Sequence, residues 1–349
     1  MANKGLGLPQ TKGMFQLKGK VFGTQKDSFY KEIVAKNGKP FRMVNFGVQV
    51  SKDEVIFLSL TGGELDKVYF SGKPKNAPKD SKNETVNVEW KNRHSFNREG
   101  FRLIGVMCGL EKTLDEKGKE VNDKRTLIQF DAADYVSEKL QDGMSVFVKG
   151  SIDYSHFAGT NGEVSHSVKF IPNQISLCQS IDFDDEKYEP MCNFTQDLVF
   201  LGIDKNPEEE GFLIEGTIVN FKTVETATFH TYDKSLATNF RKQIKPYTSI
   251  AVWGDIRSVK NAEEVTSDDG DGWGTSNKMK RVYSPYKTIR VITGANPQSM
   301  NTETYTEKAI ADAIELMKGD EQHEKSFESS GTDSDWGSGK KDDDGIPWD

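Results

Sequence analysis

Cysteine is rare in the sequence and long apolar runs are absent. The three cysteines, Cys108, Cys178 and Cys192, are odd in number and share no CxxC spacing, which argues against a disulfide framework or a zinc ribbon. No stretch approaches the roughly eighteen apolar residues of a membrane span, and the N-terminus lacks the apolar segment of a signal peptide. We therefore expect a cytoplasmic protein with reduced thiols and no contact with membranes.

Motifs for catalysis and for metal or cofactor binding are missing as well. The sequence has no HExxH, no Walker phosphate loop, no GxSxG and no GxGxxG after a strand. The stretch that begins at Asp269 superficially suggests a calcium loop, but Trp273 and Lys280 fall at ligand positions where oxygen donors are needed. We predict that the protein is not an enzyme and binds no cofactor or metal.

Net charge is concentrated at one end of the sequence. The total is −8, and residues 319–349, with ten acidic and three basic side chains, carry −7 of it. Residues 1–318 are therefore nearly neutral, at −1. Within them, residues 1–42 hold nine Lys or Arg against two acids, and residues 277–290 hold five against none. The basic patches favour an anionic partner, whereas the near-neutral body favours a protein partner.

What is present is a repeated pattern of strands. Two segments repeat the order of two strands, a short helix and a pair of strands with period-two alternation. Glycines inside the long strands suit the bulges or bends of a closed barrel, and these are Gly105, Gly150, Gly216 and Gly254. The pattern resembles the OB-fold, a five-stranded barrel that binds oligonucleotides.

We therefore predict a mainly β protein of tandem OB-fold barrels with a short C-terminal helix and a disordered acidic tail. For the N-terminal region, a third, degenerate barrel and a strand extension of the next barrel both remain open. The predicted boundaries are 1–98 for the N-terminal β region, 99–181 for an OB-fold, 182–194 for a linker, 195–300 for an OB-fold, 301–318 for an amphipathic helix and 319–349 for the tail. The tail has almost no apolar residues to offset the entropy of ordering.

Aromatic and basic residues alternate in several segments. An unpaired strand of nucleic acid needs a positive groove for its phosphates and flat side chains on which its bases stack. In the first half of the chain, the predicted nucleic-acid-binding residues are Trp90, Lys91, Arg93, Phe96, Arg98, Arg102, Lys149, Tyr154 and Phe157. In the second half they are Phe229, Tyr232, Trp253, Arg257, Trp273, Lys280, Arg281, Tyr283 and Tyr286. Because about half of the aromatic residues of period-two strands belong to the core, a role for Trp253 in packing stays open.

The sequence ends in DDDGIPWD. Together with the barrel pattern and the acidic segment, this ending resembles single-stranded DNA-binding proteins, whose bacterial members end in aspartates followed by Ile-Pro-Phe. Gly345, Trp348 and Asp349 depart from that pattern, and the tandem barrels fit a bacteriophage-type protein better than the one-barrel bacterial type. The resemblance assigns partner binding to Asp342, Asp343, Asp344, Ile346, Pro347 and Trp348.

The resemblance implies a protein that coats and protects single-stranded DNA, without strong sequence preference, during replication, recombination or repair. The acidic tail is expected to recruit replication or recombination proteins and to compete with DNA. We expect a monomer or weak self-association, with RNA binding left open, and the host bacterial cytoplasm as the location if the protein is viral. The alternative is a protein-interaction or structural scaffold, such as an assembly or virion factor, that binds no nucleic acid.

Overall fold

The computed structural model describes residues 5–35, 38–78, 80–158, 164–207, 209–260 and 286–330. Most of these residues lie in strands, in agreement with the predicted mainly β fold. The strands are β1 Gly13–Phe22, β2 Tyr30–Val34, β3 Pro40–Gln49, β4 Val55–Gly63, β5 Lys67–Gly72, β6 Glu84–Glu89, β7 Phe101–Leu103, β8 Val106–Leu114, β9 Glu120–Leu127, β10 Ser145–Ala158, β11 Val164–Leu177, β12 Cys192–Lys205, β13 Phe212–Val219, β14 Val224–Thr231, β15 Thr248–Lys260 and β16 Tyr286–Asn301. The helices are α1 Gln129–Lys139, α2 Lys234–Gln243 and α3 Glu307–Ser330, and a short 3-10 turn covers Trp90–Asn92.

Strands β12 to β16 form a closed five-stranded barrel. Their order is β13-β14-β16-β15-β12, the pairing of β12 with β13 closes the ring, and β14 runs parallel to β16. Helix α2 connects β14 to β15, and it begins where the carboxylate of Asp233 accepts hydrogen bonds from the backbone N–H groups of Ser235 and Leu236, at 2.7 and 3.1 Å. This order of strands and helix is the OB-fold, as predicted for this part of the chain.

The first barrel draws its strands from a longer stretch than predicted. It consists of β1, β3, β4, β10 and β11, with β4 parallel to β11 and α1 between the third and fourth strands of the barrel. Residues 99–181 are therefore not a complete barrel, because its first three strands lie between Gly13 and Gly63. The N-terminal region is therefore not a separate, degenerate barrel; of the two alternatives, the strand extension is nearer to the structure, because β1, β3 and β4 belong to the same barrel as β10 and β11.

An insertion between β4 and α1 separates the two halves of the first barrel. It contains the three-stranded sheet β6-β5-β7 and the hairpin β8–β9, whose first strand pairs in parallel with β11. The small sheet has its own core, in which Val68 and Phe70 pack against Ile128 and Phe130 at the start of α1. Period-two alternation specifies which residues of a strand are buried but not which distant strand is its partner. Because the insertion separates β4 from β10 and β11 along the chain, the sequence pattern did not predict that these strands belong to one barrel.

The two barrels share one continuous sheet. Strand β1 pairs with β10 on one side and with β12 on the other, so that Met14 lies opposite both Ser151 and Thr195. Strand β12 begins at Cys192, within the predicted linker 182–194. The barrels are thus joined by backbone hydrogen bonds as well as by the linker.

The last helix packs on the second barrel and extends further than predicted. Ile310, Ala313 and Met317 are buried and pack with Leu6 and Tyr305. Helix α3 continues to Ser330, so residues 319–330, predicted as part of the disordered tail, are helical. Residues 331–349 lie outside the described residues. Among the helices that the structure describes, none combines the length and the apolar character needed to cross a membrane.

Candidate nucleic-acid interface

Two phenylalanine rings lie on the outer surface of the first barrel, on either side of a glycine. Phe15, Leu17 and Val21 point into the barrel, so the alternation of β1 turns Phe22 outward, where it is 44% exposed. The same alternation in β4 leaves Phe57 50% exposed. Gly47 of β3 lies opposite Phe22 of the neighbouring strand β1 on one side and opposite Phe57 of β4 on the other.

Gly47 keeps the surface between the two rings open. A Cβ atom at this position would lie 2.8 Å from Cγ1 of Val55 and 3.4 Å from Cδ1 of Phe22. The site is therefore a shallow depression of about 260 Å³ with an exposed ring at each side.

Two lysines place positive charge at the same depression. Nζ of Lys26 lies 4.9 Å from the centroid of the Phe22 ring, and Lys169 of β11 is exposed and lines the depression. Rings for stacking beside cations for phosphates are what unpaired nucleic acid requires. We call the surface formed by Phe22, Lys26, Gly47, Phe57 and Lys169 the aromatic face.

A larger cleft between the barrels continues from the aromatic face. Val168 and Phe170 line both the depression and this inter-barrel cleft, which has a volume of about 820 Å³. Strands β10 and β11 form one wall, and β13, β14 and β16 form the other. Its polar lining includes His166, Glu209, Glu225, Thr226, Thr228, His230, Lys287 and Arg290.

Polar contacts across the cleft hold the barrels in position. Nδ1 of His156 lies 2.9 and 3.0 Å from the carboxylate oxygens of the buried Glu225. The hydroxyl of Tyr154 donates to Oε1 of Gln196 at 3.1 Å, and Nδ2 of Asn220 donates to the carbonyl oxygen of Tyr154 at 2.9 Å. Burial raises the pKa of Tyr154 to about 12, so the hydroxyl keeps its proton near neutral pH. Burial also raises the pKa of Asp153 beside it, against the attraction of Lys169.

The predicted cluster of aromatic and basic residues in the insertion is largely engaged in packing. The ring of Trp90 stands edge-on to Phe130 with centroids 5.8 Å apart, and the Phe96 ring lies 4.4 Å from that of Phe70. Nε and Nη2 of Arg93 donate to the carboxylate of Asp131 at 2.9 and 3.1 Å.

The remaining charged members of this cluster lie on the surface. The ammonium group of Lys91 pairs with Glu89 at 2.9 Å. The guanidinium of Arg98 lies 4.2 Å from the centroid of the Phe101 ring, and Arg102 is exposed on β7. The structure therefore leaves cations on the outside of the insertion, and it packs two of the predicted aromatics, Trp90 and Phe96, partly buried against the small core.

Two other predicted aromatics are buried inside the barrels. Tyr154 is 3% exposed and Phe229 is fully buried, so neither ring offers a face to a base in this structure. For two predicted residues, Phe157 and Tyr286, only the backbone is described. Nothing is described for Trp273, Lys280, Arg281 and Tyr283, nor for the tail residues Asp342, Asp343, Asp344, Ile346, Pro347 and Trp348.

Three predicted residues share a second surface, across the seam of the barrels. Trp253 is 46% exposed on β15 and covers Gly294, whose Cβ, if present, would lie 2.5 Å from the indole. On the same face of β15, Nη2 of Arg257 lies 3.5 Å from Oδ2 of Asp255. Lys149 is exposed on β10 of the joined sheet.

The predicted residue Tyr232 is 41% exposed, and its hydroxyl donates a hydrogen bond to the carboxylate of Glu209 at 3.3 Å.

The aromatic face includes none of the predicted residues. The sequence pattern that could have predicted it is the alternation of apolar residues in β4. Ile56, Leu58 and Leu60 point into the barrel, so Phe57 between them must face outward. Phe22 follows Val21 in the same way. An aromatic residue out of phase with the core of its strand is a better candidate for an open ring than one with polar neighbours.

In the described part of the chain, no three His, Cys, Asp or Glu side chains converge to hold a metal ion.

Comparison with known proteins identifies one family model, described as YorF, which matches residues 15–330. Comparison with curated protein sequences finds no significant match. Among solved structures, the single-stranded DNA binding protein from Thermus aquaticus is similar to the chain in two forms. The deletion mutant has 9% identity and the wild type 8%, both with a TM-score of 0.37; each match covers 82% of this chain and 94% or 93% of the other.

Proposed function

The chain belongs to the YorF family, and from the geometry of its barrels we propose that it binds single-stranded DNA without strong sequence preference. The observation that carries this proposal is the aromatic face, where Phe22 and Phe57 flank Gly47 and two lysines adjoin them. Stacking of a base on an aromatic ring contributes about 1–3 kcal/mol and tolerates any sequence, because every base has a π-face. The residues are outward-facing parts of a barrel surface that OB-folds use for oligonucleotides.

Binding of a labelled oligothymidine, measured by fluorescence anisotropy, tests the proposal. We expect the double variant Phe22→Ala/Phe57→Ala to bind at least about tenfold more weakly than the wild type, since two stacking contacts are lost. The matched control is Ile104→Ala/Leu114→Ala, which removes two apolar side chains that are 51% and 70% exposed on the insertion. Equal affinities of the wild type and the aromatic-face variant, or tighter binding to duplex than to the single strand, would reject the proposal.

We further propose that binding serves to coat and protect single strands during replication, recombination or repair, without catalysis, in a bacteriophage-type protein. In this proposal the acidic segment of residues 319–349, net charge −7, competes with DNA for the basic surfaces. Ile346, Pro347 and Trp348 act as an apolar anchor for replication or recombination proteins, and the neighbouring aspartates steer it to basic pockets.

A scaffold without nucleic-acid binding is the second candidate. The near-neutral charge of residues 1–318 favours it, because nucleic-acid-binding domains are often basic. The same titration separates the candidates: a scaffold binds neither single-stranded DNA, single-stranded RNA nor duplex at low salt.

A further inference from the structure

Arg290 of β16 is a buried cation in the wall of the inter-barrel cleft. It is 7% exposed, and its guanidinium lies between two aromatic rings, 5.2 Å from the centroid of Tyr154 and 5.1 Å from that of Phe229. One Nη donates to the carbonyl oxygen of Thr228 at 2.9 Å. Its Nε is buried without a hydrogen-bond partner, and no carboxylate of the described residues forms an ion pair with it.

A guanidinium in this setting is incompletely compensated. Burial of a charge is unfavourable unless the charge is paired and hydrogen-bonded, and the rings on either side offset only part of that cost. The carboxylates that line the cleft are engaged elsewhere, Glu225 with His156 and Glu209 with the hydroxyl of Tyr232. Arg290 is thus a cation in the cleft that can bind an anionic ligand.

The rest of the lining suits phosphate better than a base. Lys287 is exposed at the cleft and adds a second positive charge. Thr226 and Thr228 point their side chains outward from β14, and hydroxyl groups of this kind are common donors to phosphate oxygens. Tyr154 lines the cleft, but it is 3% exposed and Phe229 is fully buried, so neither ring is open for stacking.

We propose that the inter-barrel cleft binds the phosphate backbone of single-stranded DNA, with Arg290 as the buried anchor and Lys287 as the cation at the surface. This inference rests on the proposed function and deepens it: bases stack on the aromatic face, and the same strand continues past Val168 and Phe170, which line both sites. The bound strand then contacts both barrels, and its length exceeds the segment that one barrel covers.

The test uses Arg290→Met and Lys287→Met, with Arg125→Met, an exposed arginine of the β8–β9 hairpin, as the matched control. Affinities for oligothymidines of roughly 30 and roughly 6 nucleotides are measured over a range of salt concentrations. For the long oligonucleotide, we expect the negative slope of log K against log salt to become shallower by about 0.7 in each cleft variant. This is the value for one phosphate contact to a single strand. We expect about tenfold weaker binding of the long oligonucleotide for Arg290→Met at low salt, because a buried anchor is lost. The short oligonucleotide, held by the aromatic face alone, should bind the variants and the wild type equally.

Thermal unfolding establishes whether Arg290→Met is folded. If it is not, Lys287→Met carries the test, since the exposed side chain of Lys287 can be replaced without disturbing the core. Wild-type slopes and affinities in the folded cleft variants, beside weakened binding by Phe22→Ala/Phe57→Ala, would overturn the cleft proposal and leave the proposed function standing. Absence of DNA binding by the wild type would instead reject the proposed function, and the cleft proposal with it.

Discussion

An aromatic side chain stacks on a base only where one face of its ring is free of protein contacts. Phe22 and Phe57 are about half exposed because they are out of phase with the buried residues of their strands. Phe96 is partly buried, since its ring packs against Phe70 at the core of the insertion. At the residue scale, exposure of a ring therefore separates a binding role from a packing role.

A crossed comparison of Phe96→Ala with Phe57→Ala tests this separation. For Phe96→Ala we expect the free energy of unfolding to fall by about 1–3 kcal/mol, because a packed ring is removed, while DNA affinity stays unchanged. For Phe57→Ala we expect the opposite, with weaker DNA binding and a change in stability within about 0.5 kcal/mol. Urea unfolding and anisotropy measure the two quantities. If Phe96→Ala instead weakened DNA binding at unchanged stability, Phe96 would belong to the DNA-binding surface.

At the scale of the elements, glycines occur where long strands change register. The ladders are irregular at Gly150 of β10 and at Gly254 of β15, and Gly216 pairs with Phe200 at the irregularity of β12. These three were expected at bulges from their position inside apolar runs. Gly105 lies between β7 and β8 rather than inside a strand.

Gly254→Ala tests whether such a glycine is required. A Cβ atom at this position would collide with the carbonyl oxygen of Val291 on the neighbouring strand, whereas one at Gly202 of β12 would meet nothing within 4 Å. We expect Gly254→Ala to lower the free energy of unfolding by about 1–3 kcal/mol through overpacking, and Gly202→Ala to change it by no more than about 0.5 kcal/mol. Chemical denaturation of both variants measures the difference. Equal stabilities would show that the backbone of β16 relaxes without cost.

The predictability of the elements from sequence depended on their separation along the chain. The second barrel has consecutive strands, so alternation, one short helix and glycine positions sufficed to predict it. The first barrel was misassigned because the insertion between Gly63 and Gln129 separates strands that pair, and alternation carries no information on distant partners. The insertion cluster was predicted as an interface because its neighbours in sequence are polar, whereas its packing partners, Phe70 and Phe130, are distant in sequence.

At the scale of the whole molecule, the barrels are positioned as a unit. Backbone pairing of β1 with β12 joins them at the seam, and the pair of His156 and Glu225 joins them at the cleft. A strand of DNA bound to the aromatic face can therefore reach the cleft without rearrangement of the barrels. The acidic segment of residues 319–349 begins within α3, a helix whose earlier residues pack on the second barrel beside β14.

Truncation after Ser330 tests the proposed competition between the acidic segment and DNA. Residues 331–349 contain six acidic and two basic side chains, and their removal should tighten DNA binding severalfold at low salt, because a tethered competitor for the cations is lost. The gain should vanish at high salt, where interactions between exposed charges are screened.

The variant Asp342→Asn/Asp343→Asn/Asp344→Asn separates charge from length, and it should reproduce most of the gain if charge is responsible. Trp348→Ala keeps the charge and should bind DNA like the wild type. If Trp348 anchors replication or recombination proteins as proposed, this variant should capture less of them in a pull-down than the full chain does. DNA affinity that is the same for the truncated and full-length chains at low salt would rule out the competition, because a segment that occupies the DNA-binding surface must weaken binding by the fraction of time it is bound.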